Sequence, residues 1–102
     1  MKIFENRDEN GNLCSFEVPN WKLSRRRVVR IVAKIPGVVV IRRPKRLLSW
    51  FREEIFCEFE INGVKFQIDE PFGDNSRFWV GKYGGGWCRE LELVRQAFSE
   101  AW

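Results

Sequence analysis

The sequence predicts an α+β fold: a two-layer sandwich in which two amphipathic helices pack on one face of a largely antiparallel sheet of about five to six strands. Three observations predict it. The segment Ile55 to Glu70, IFCEFEINGVKFQIDE, alternates apolar and polar residues on both sides of Asn62-Gly63. Residues 21–35 and 88–102 instead space their apolar side chains for a helix face. The order ββαββββα places one helix after the first strand pair and one after the last strand, so most strands are close enough in sequence to pair as hairpins. A chain of 102 residues, with no internal repeat and no linker long enough to divide it, reads as one domain, 1–102.

Taken in order, Lys2 to Asn6 and Leu13 to Val18 flank the turn formers Asp8-Glu9-Asn10-Gly11-Asn12 and read as a first hairpin. In its second strand, alternation directs Cys14, Phe16 and Val18 to one face and Ser15 and Glu17 to the other. Pro19-Asn20 ends that strand. A helix then starts between Asn20 and Ser24, both good N-caps, and stops at Ile35 before Pro36-Gly37. At about 100° per residue, Trp21, Val28, Ile31, Val32 and Ile35 share one face, while Lys22, Arg26, Arg27, Arg30 and Lys34 share the opposite one. Three successive arginines, Arg25 to Arg27, oppose the helix dipole, so local helix stability does not account for them.

Val38 to Arg42 reads as a buried strand, and Pro44 to Arg52 fits either a short helix or a covering loop through Leu47, Leu48 and Phe51. Helix, Pro-Gly and Val-Val-Val in succession are similar to the first βαβ unit of the ferredoxin-like pattern. The second helix of that pattern is missing between the later strands, and no family is assigned.

Asn62-Gly63 is the dipeptide that best tolerates the two positive φ angles of a type I′ turn. A two-residue loop fixes the register, setting Ile61 opposite Val64, Phe59 opposite Phe66 and Cys57 opposite Ile68 on one face. Glu60 opposite Lys65 and Glu58 opposite Gln67 fall on the other. Pro71 to Ser76 is a turn, Arg77 to Gly81 a strand and Lys82 to Gly86 a glycine-rich connection. The last helix carries Leu91, Val94, Phe98 and Ala101 at helical spacing.

Charge is distributed very unevenly. Between Trp21 and Arg52 lie eleven of the 18 lysines and arginines, eight of them arginine, and none of the 14 acids. The remainder holds seven bases against all 14 acids, a net −7 beneath an overall +4. Such polarity bears on partners rather than on fold. Three cysteines with gaps of 43 and 31 residues provide neither a disulfide framework nor the close ligand pairs of a zinc site. An odd thiol count and an amino terminus without an apolar h-region point to a cytoplasmic protein. Val28 to Ile41, the most apolar stretch, is too short for a membrane span and is interrupted by Arg30 and Lys34.

The absence of histidine removes the usual general base near neutral pH and every Ser-His or Cys-His arrangement. No catalytic residue, cofactor or metal ligand set is assigned. Cys88, at a helix start beside Arg89, is the one thiol placed where a lowered pKa is conceivable. Lys82, Gly84, Gly85 and Gly86 run from strand into helix and form a candidate anion site, although they match neither phosphate-loop spacing. Asp69, Glu70, Asp74 and Asn75 lack the progression of a calcium loop and read as solvated turn residues.

The basic segment is the feature that exceeds its ordinary explanation, a solvated face neutralised by acids elsewhere in the chain. Arginine's planar fork suits bidentate contact with carboxylate or phosphate. The expected partner-binding patch comprises Arg26, Arg27, Arg30, Lys34, Arg42, Arg43, Lys45, Arg46, Trp50 and Arg52. The leading expectation is a small non-enzymatic binding module for an acidic protein partner, in an accessory, inhibitor or immunity-type role. The alternative is nucleic-acid binding through the phosphate backbone with little sequence preference. A thiol- or carboxylate-based enzyme is a distant third.

Overall fold

The computed structural model describes residues 3–19, 23–42, 55–70 and 77–101. Among the described residues six strands and two helices follow in the predicted order: β1 (Phe4–Arg7), β2 (Leu13–Pro19), α1 (Arg25–Ala33), β3 (Val38–Arg42), β4 (Ile55–Ile61), β5 (Val64–Asp69), β6 (Arg77–Lys82) and α2 (Arg89–Ser99). The strands form one sheet in the order β1-β2-β6-β5-β4-β3. Every neighbouring pair is antiparallel. β2 and β3 therefore run parallel at the second and sixth positions of the sheet. The passage β2–α1–β3 is a crossover, and it carries α1 back over the sheet face.

The central hairpin has the register its turn dictates. Asn62 and Gly63 take φ of 53° and 79°, and Ile61↔Val64, Phe59↔Phe66 and Cys57↔Ile68 are cross-strand partners. Phe59 and Phe66 stack with ring centroids 5.3 Å apart. On the wet face Lys65 reaches diagonally to Glu58, 2.9 Å away, although Glu60 lies directly opposite it.

Helix α1 begins at the predicted cap: Ser24 Oγ accepts a hydrogen bond from the Arg27 amide at 3.1 Å. Val28, Val29, Val32 and, just beyond the helix, Ile35 enter the core. Helix α2 contributes Leu91, Val94 and Phe98, and Phe98 meets Phe16 of β2 edge-on at 5.5 Å. Both helices cover the same face, α1 over β3 and β4 and α2 over β2, and they touch one another. One continuous apolar core lies beneath them.

Two sequence expectations are corrected. Leu13, not Cys14, is the buried residue at the start of β2, because the β1–β2 register slips between Asn6 and Arg7 and breaks strict alternation at that point. β3 is an edge strand and not a buried one. Val38 and Val40 pack against the core, but Val39 is 61% and Ile41 49% exposed. A run of four β-branched residues fits either location, since periodicity does not report strand order. A further register shift between Ile55 and Cys57 turns both Phe56 and Cys57 into the core.

Candidate functional site

The arginines at the start of α1 divide into two groups. Arg25 is half-buried: its guanidinium Nε lies 3.0 Å from Glu70 Oε1, and the same group sits over the Phe56 ring at 4.7 Å. It is a structural tie between α1 and the end of β5. Arg26, Arg27, Arg30 and Lys34 are exposed on the outer side of α1. Among the described residues no carboxylate pairs with Arg26, Arg30 or Lys34.

The acids are engaged elsewhere. Arg7 pairs with Glu5 at 2.8 Å and Glu92 at 3.0 Å, Arg77 with Glu17 at 3.0 Å, and Lys65 with Glu58 at 2.9 Å. Arg95 also reaches Glu92 and Glu5. These pairs tie the strands and α2 to one another. Among the described residues, Glu5, Glu17, Glu58 and Glu92 thus pair with bases outside α1, whereas Glu70 holds Arg25 and Glu100 lines the same groove as Arg27, Arg30 and Lys34.

Between the two helices runs a surface groove of about 830 Å³. Arg27, Arg30 and Lys34 line its α1 side, and Ile31, Ile35 and Pro36 continue that side with apolar surface. Leu93, Gln96, Ala97, Glu100 and Ala101 supply the α2 side. Leu93 is half exposed, whereas Ile35 is almost fully buried. Gln96 and Glu100 hydrogen-bond each other at 2.8 Å. Three cations and one carboxylate therefore border an apolar strip. The α2 wall was not anticipated from sequence; its signal is Leu93, an apolar residue off the Leu91–Val94–Phe98 stripe.

Arg42 ends β3, and its backbone lies opposite Glu58. Arg43, Lys45, Arg46, Trp50 and Arg52 lie outside the described residues, as do the alternatives for Pro44 to Arg52.

The candidate anion site lies in the turn between β6 and α2. Gly84, Gly85 and Gly86 all take φ of 80–86°, a run that side chains disfavour, and Gly85 N donates to Lys82 O at 2.8 Å. At the start of α2, however, the Glu90 carboxyl is held below the usual carboxylate range by its own backbone N–H and by the Asn62 amide. Glu90 thereby occupies the positive end of the helix dipole that an anion would seek. Cys88 is the N-cap residue, its side chain makes no capping hydrogen bond, and burial pushes its thiol up rather than down. Of the acidic turn, Asp69 accepts from Gln67 at 3.3 Å and Glu70 holds Arg25. Asp74 and Asn75 lie outside the described residues. No group of three metal-ligating side chains occurs among the described residues. Nor is any described helix long and apolar enough to cross a membrane.

Comparison with protein-family models, with curated proteins and with solved structures gives no match. Functional inference therefore rests on this chain's own side chains.

Proposed function

We propose that the protein is a small non-enzymatic binding module whose cationic α1 face receives an acidic protein partner, in an accessory, inhibitory or immunity-type role. One observation carries the reading: Arg26, Arg30 and Lys34 stand exposed with no described carboxylate in an ion pair with them, while Glu5, Glu17, Glu58 and Glu92 are spent on other bases. Like charges held on one rigid helix raise the local potential and steer an oppositely charged surface towards it. Arginine's fork then fixes carboxylates bidentately. The free thiols Cys14, Cys57 and Cys88 suit a reducing cytoplasm.

The test is affinity capture with the wild-type chain and with the triple reversal R26E/R30E/K34E, followed by binding measurements on each captured protein across a salt series. Partners of acidic surface should be lost with the reversal and should weaken as salt rises. Identical partner sets would end the reading. Duplex DNA binding is the outcome that replaces it: if about five phosphates were neutralised, log affinity would fall against log salt with a slope near −4 to −5.

A further inference from the structure

The groove between α1 and α2 specifies more than charge. We infer that its occupant is an acidic amphipathic α-helix of the partner, lying along the groove with an apolar stripe against Ile31, Leu93 and Ala97 and carboxylates facing Arg30 and Lys34. The inference rests on the acidic-partner reading above and assigns that partner a conformation and a residue spacing.

Two physical arguments lead there. First, both walls are helices, whose mid-segment backbone N–H and C=O groups are already paired within each helix. An extended peptide laid between them finds no backbone partners, so it would bring unpaired polar groups into contact with the apolar strip. A helix arrives with its own hydrogen bonds made, and helix-in-groove binding reads side chains alone. An exposed strand edge would favour the opposite choice, but β3 lies at the far rim of the sheet and does not line the groove.

Second, the cations are spaced as a helix spaces them. Arg27, Arg30 and Lys34 follow at i, i+3 and i+7, so their Cα atoms advance along the groove by about 4.5 and 6 Å. A partner helix presents a matching row when acids recur three and four residues apart beside an apolar i, i+3, i+4, i+7 stripe. Glu100, at the α2 edge, adds a charge that disfavours acids on that side of the occupant. The acids should therefore flank the apolar stripe on one side only.

Peptide display on the immobilised full chain tests this, with the enriched peptides then titrated as synthetic fluorescein conjugates. Four proteins are compared: wild type, A97W to fill the groove, L93D to place a negative charge at an exposed position on its α2 wall, and R89E, which changes an exposed cation outside both the groove lining and the α1 face. Enriched peptides should carry apolar residues at helical spacing with acids along one flank, and should gain helical circular dichroism on binding. Affinity should fall at least tenfold in A97W and in L93D, and by less than threefold in R89E. L93D alters a half-exposed side chain, so it keeps the test open if A97W misfolds. Peptides that bind A97W and L93D undiminished, that stay non-helical, or that lack the flanking acids overturn the inference, as does failure to enrich any such pattern. If the α1 triple reversal abolishes partner binding while A97W and L93D do not, the cationic-face reading stands and the groove-bound helix falls.

Discussion

The indole of Trp79 lies over the backbone of Gly81, two residues further along β6, so closely that a Cβ at Gly81 would sit 2.6 Å from Trp79 Cζ2 and nearer still to Cη2. Gly81 is not at a left-handed φ. It is glycine because the ring needs its space, on the sheet face that the helices leave open. Gly81→Ala must displace the indole or move the strand, and overpacking of this kind costs about 1–2 kcal/mol. The check is a double-mutant cycle by urea denaturation. Once Trp79→Ala has removed the ring, Gly81→Ala should be neutral or slightly stabilising, since alanine loses less chain entropy than glycine in a strand. Equal costs in both backgrounds would show that the ring is not what excludes a side chain.

Arg25 gives a second stability prediction. Its side chain and that of Glu70 are only 20% and 22% exposed, and its guanidinium also covers Phe56. Arg25→Ala removes a charge-assisted hydrogen bond and a cation–π contact together, and is expected to cost about 1–2 kcal/mol. Arg25→Lys should recover less than half of this, because an ammonium matches neither the fork geometry nor the ring stacking. Arg26→Ala, one residue on and exposed, should change the denaturation midpoint little. Equal losses at both positions would contradict the division of roles within the arginine run.

That division shows what the sequence conveys and where it stops. Local chemistry was legible: Asn62-Gly63 set the β4–β5 register residue by residue, and Ser24 capped α1 where a capping side chain was expected. Helical spacing sorted Val28 and Val32 from Arg26 and Arg30 because one period governs the whole helix. The β1–β2 slip beside Cys14 was not legible, since an irregularity in pairing depends on how a partner strand meets it. The exposure of Val39 and Ile41 follows from the place of β3 in the sheet, which is fixed by pairing with β4 and not by its own residues. The groove is least legible of all. Its walls lie some 60 residues apart in sequence, at Ile31 and Leu93, and only the fold brings them together.

Acid should loosen the attachment of α2. Arg7 holds the Glu92 carboxyl below the usual carboxylate range, chiefly by a hydrogen bond from its side chain, with Arg95 assisting. A depressed folded-state pKa means that the unfolded chain binds its proton first as pH falls. The stabilisation is therefore complete above the ordinary carboxylate pKa and is lost as pH drops through the lower folded value. Glu90 acts in the same direction through its backbone N–H and Asn62. Urea midpoints measured from pH 6 down to pH 2 should fall at the acidic end, and Glu92→Gln should flatten that decline. High salt should lessen the difference between the two proteins, because the Arg7–Glu92 pair is solvent-exposed. An unchanged acid limb in Glu92→Gln would place the acid sensitivity in other carboxylates.

Cys88 tests whether thiol chemistry has any place here. It caps α2 at a position that often activates a cysteine, yet burial pushes its thiol above the ordinary value. Glu90 opposes the thiolate as well, and the helix-start groups that favour it are outweighed. Alkylation by iodoacetamide, read by mass spectrometry of the Cys88 peptide between pH 6 and 10, should therefore be slow at neutrality and rise only in the alkaline range. Cys57, which is fully buried, should react only on unfolding and so reports the integrity of the fold in the same experiment. Substituting Glu90→Gln should shift the Cys88 profile towards lower pH by removing the nearby negative charge. Rapid alkylation of Cys88 near pH 6, with Cys57 still protected, would reveal an activated thiol and return a nucleophilic enzyme to consideration.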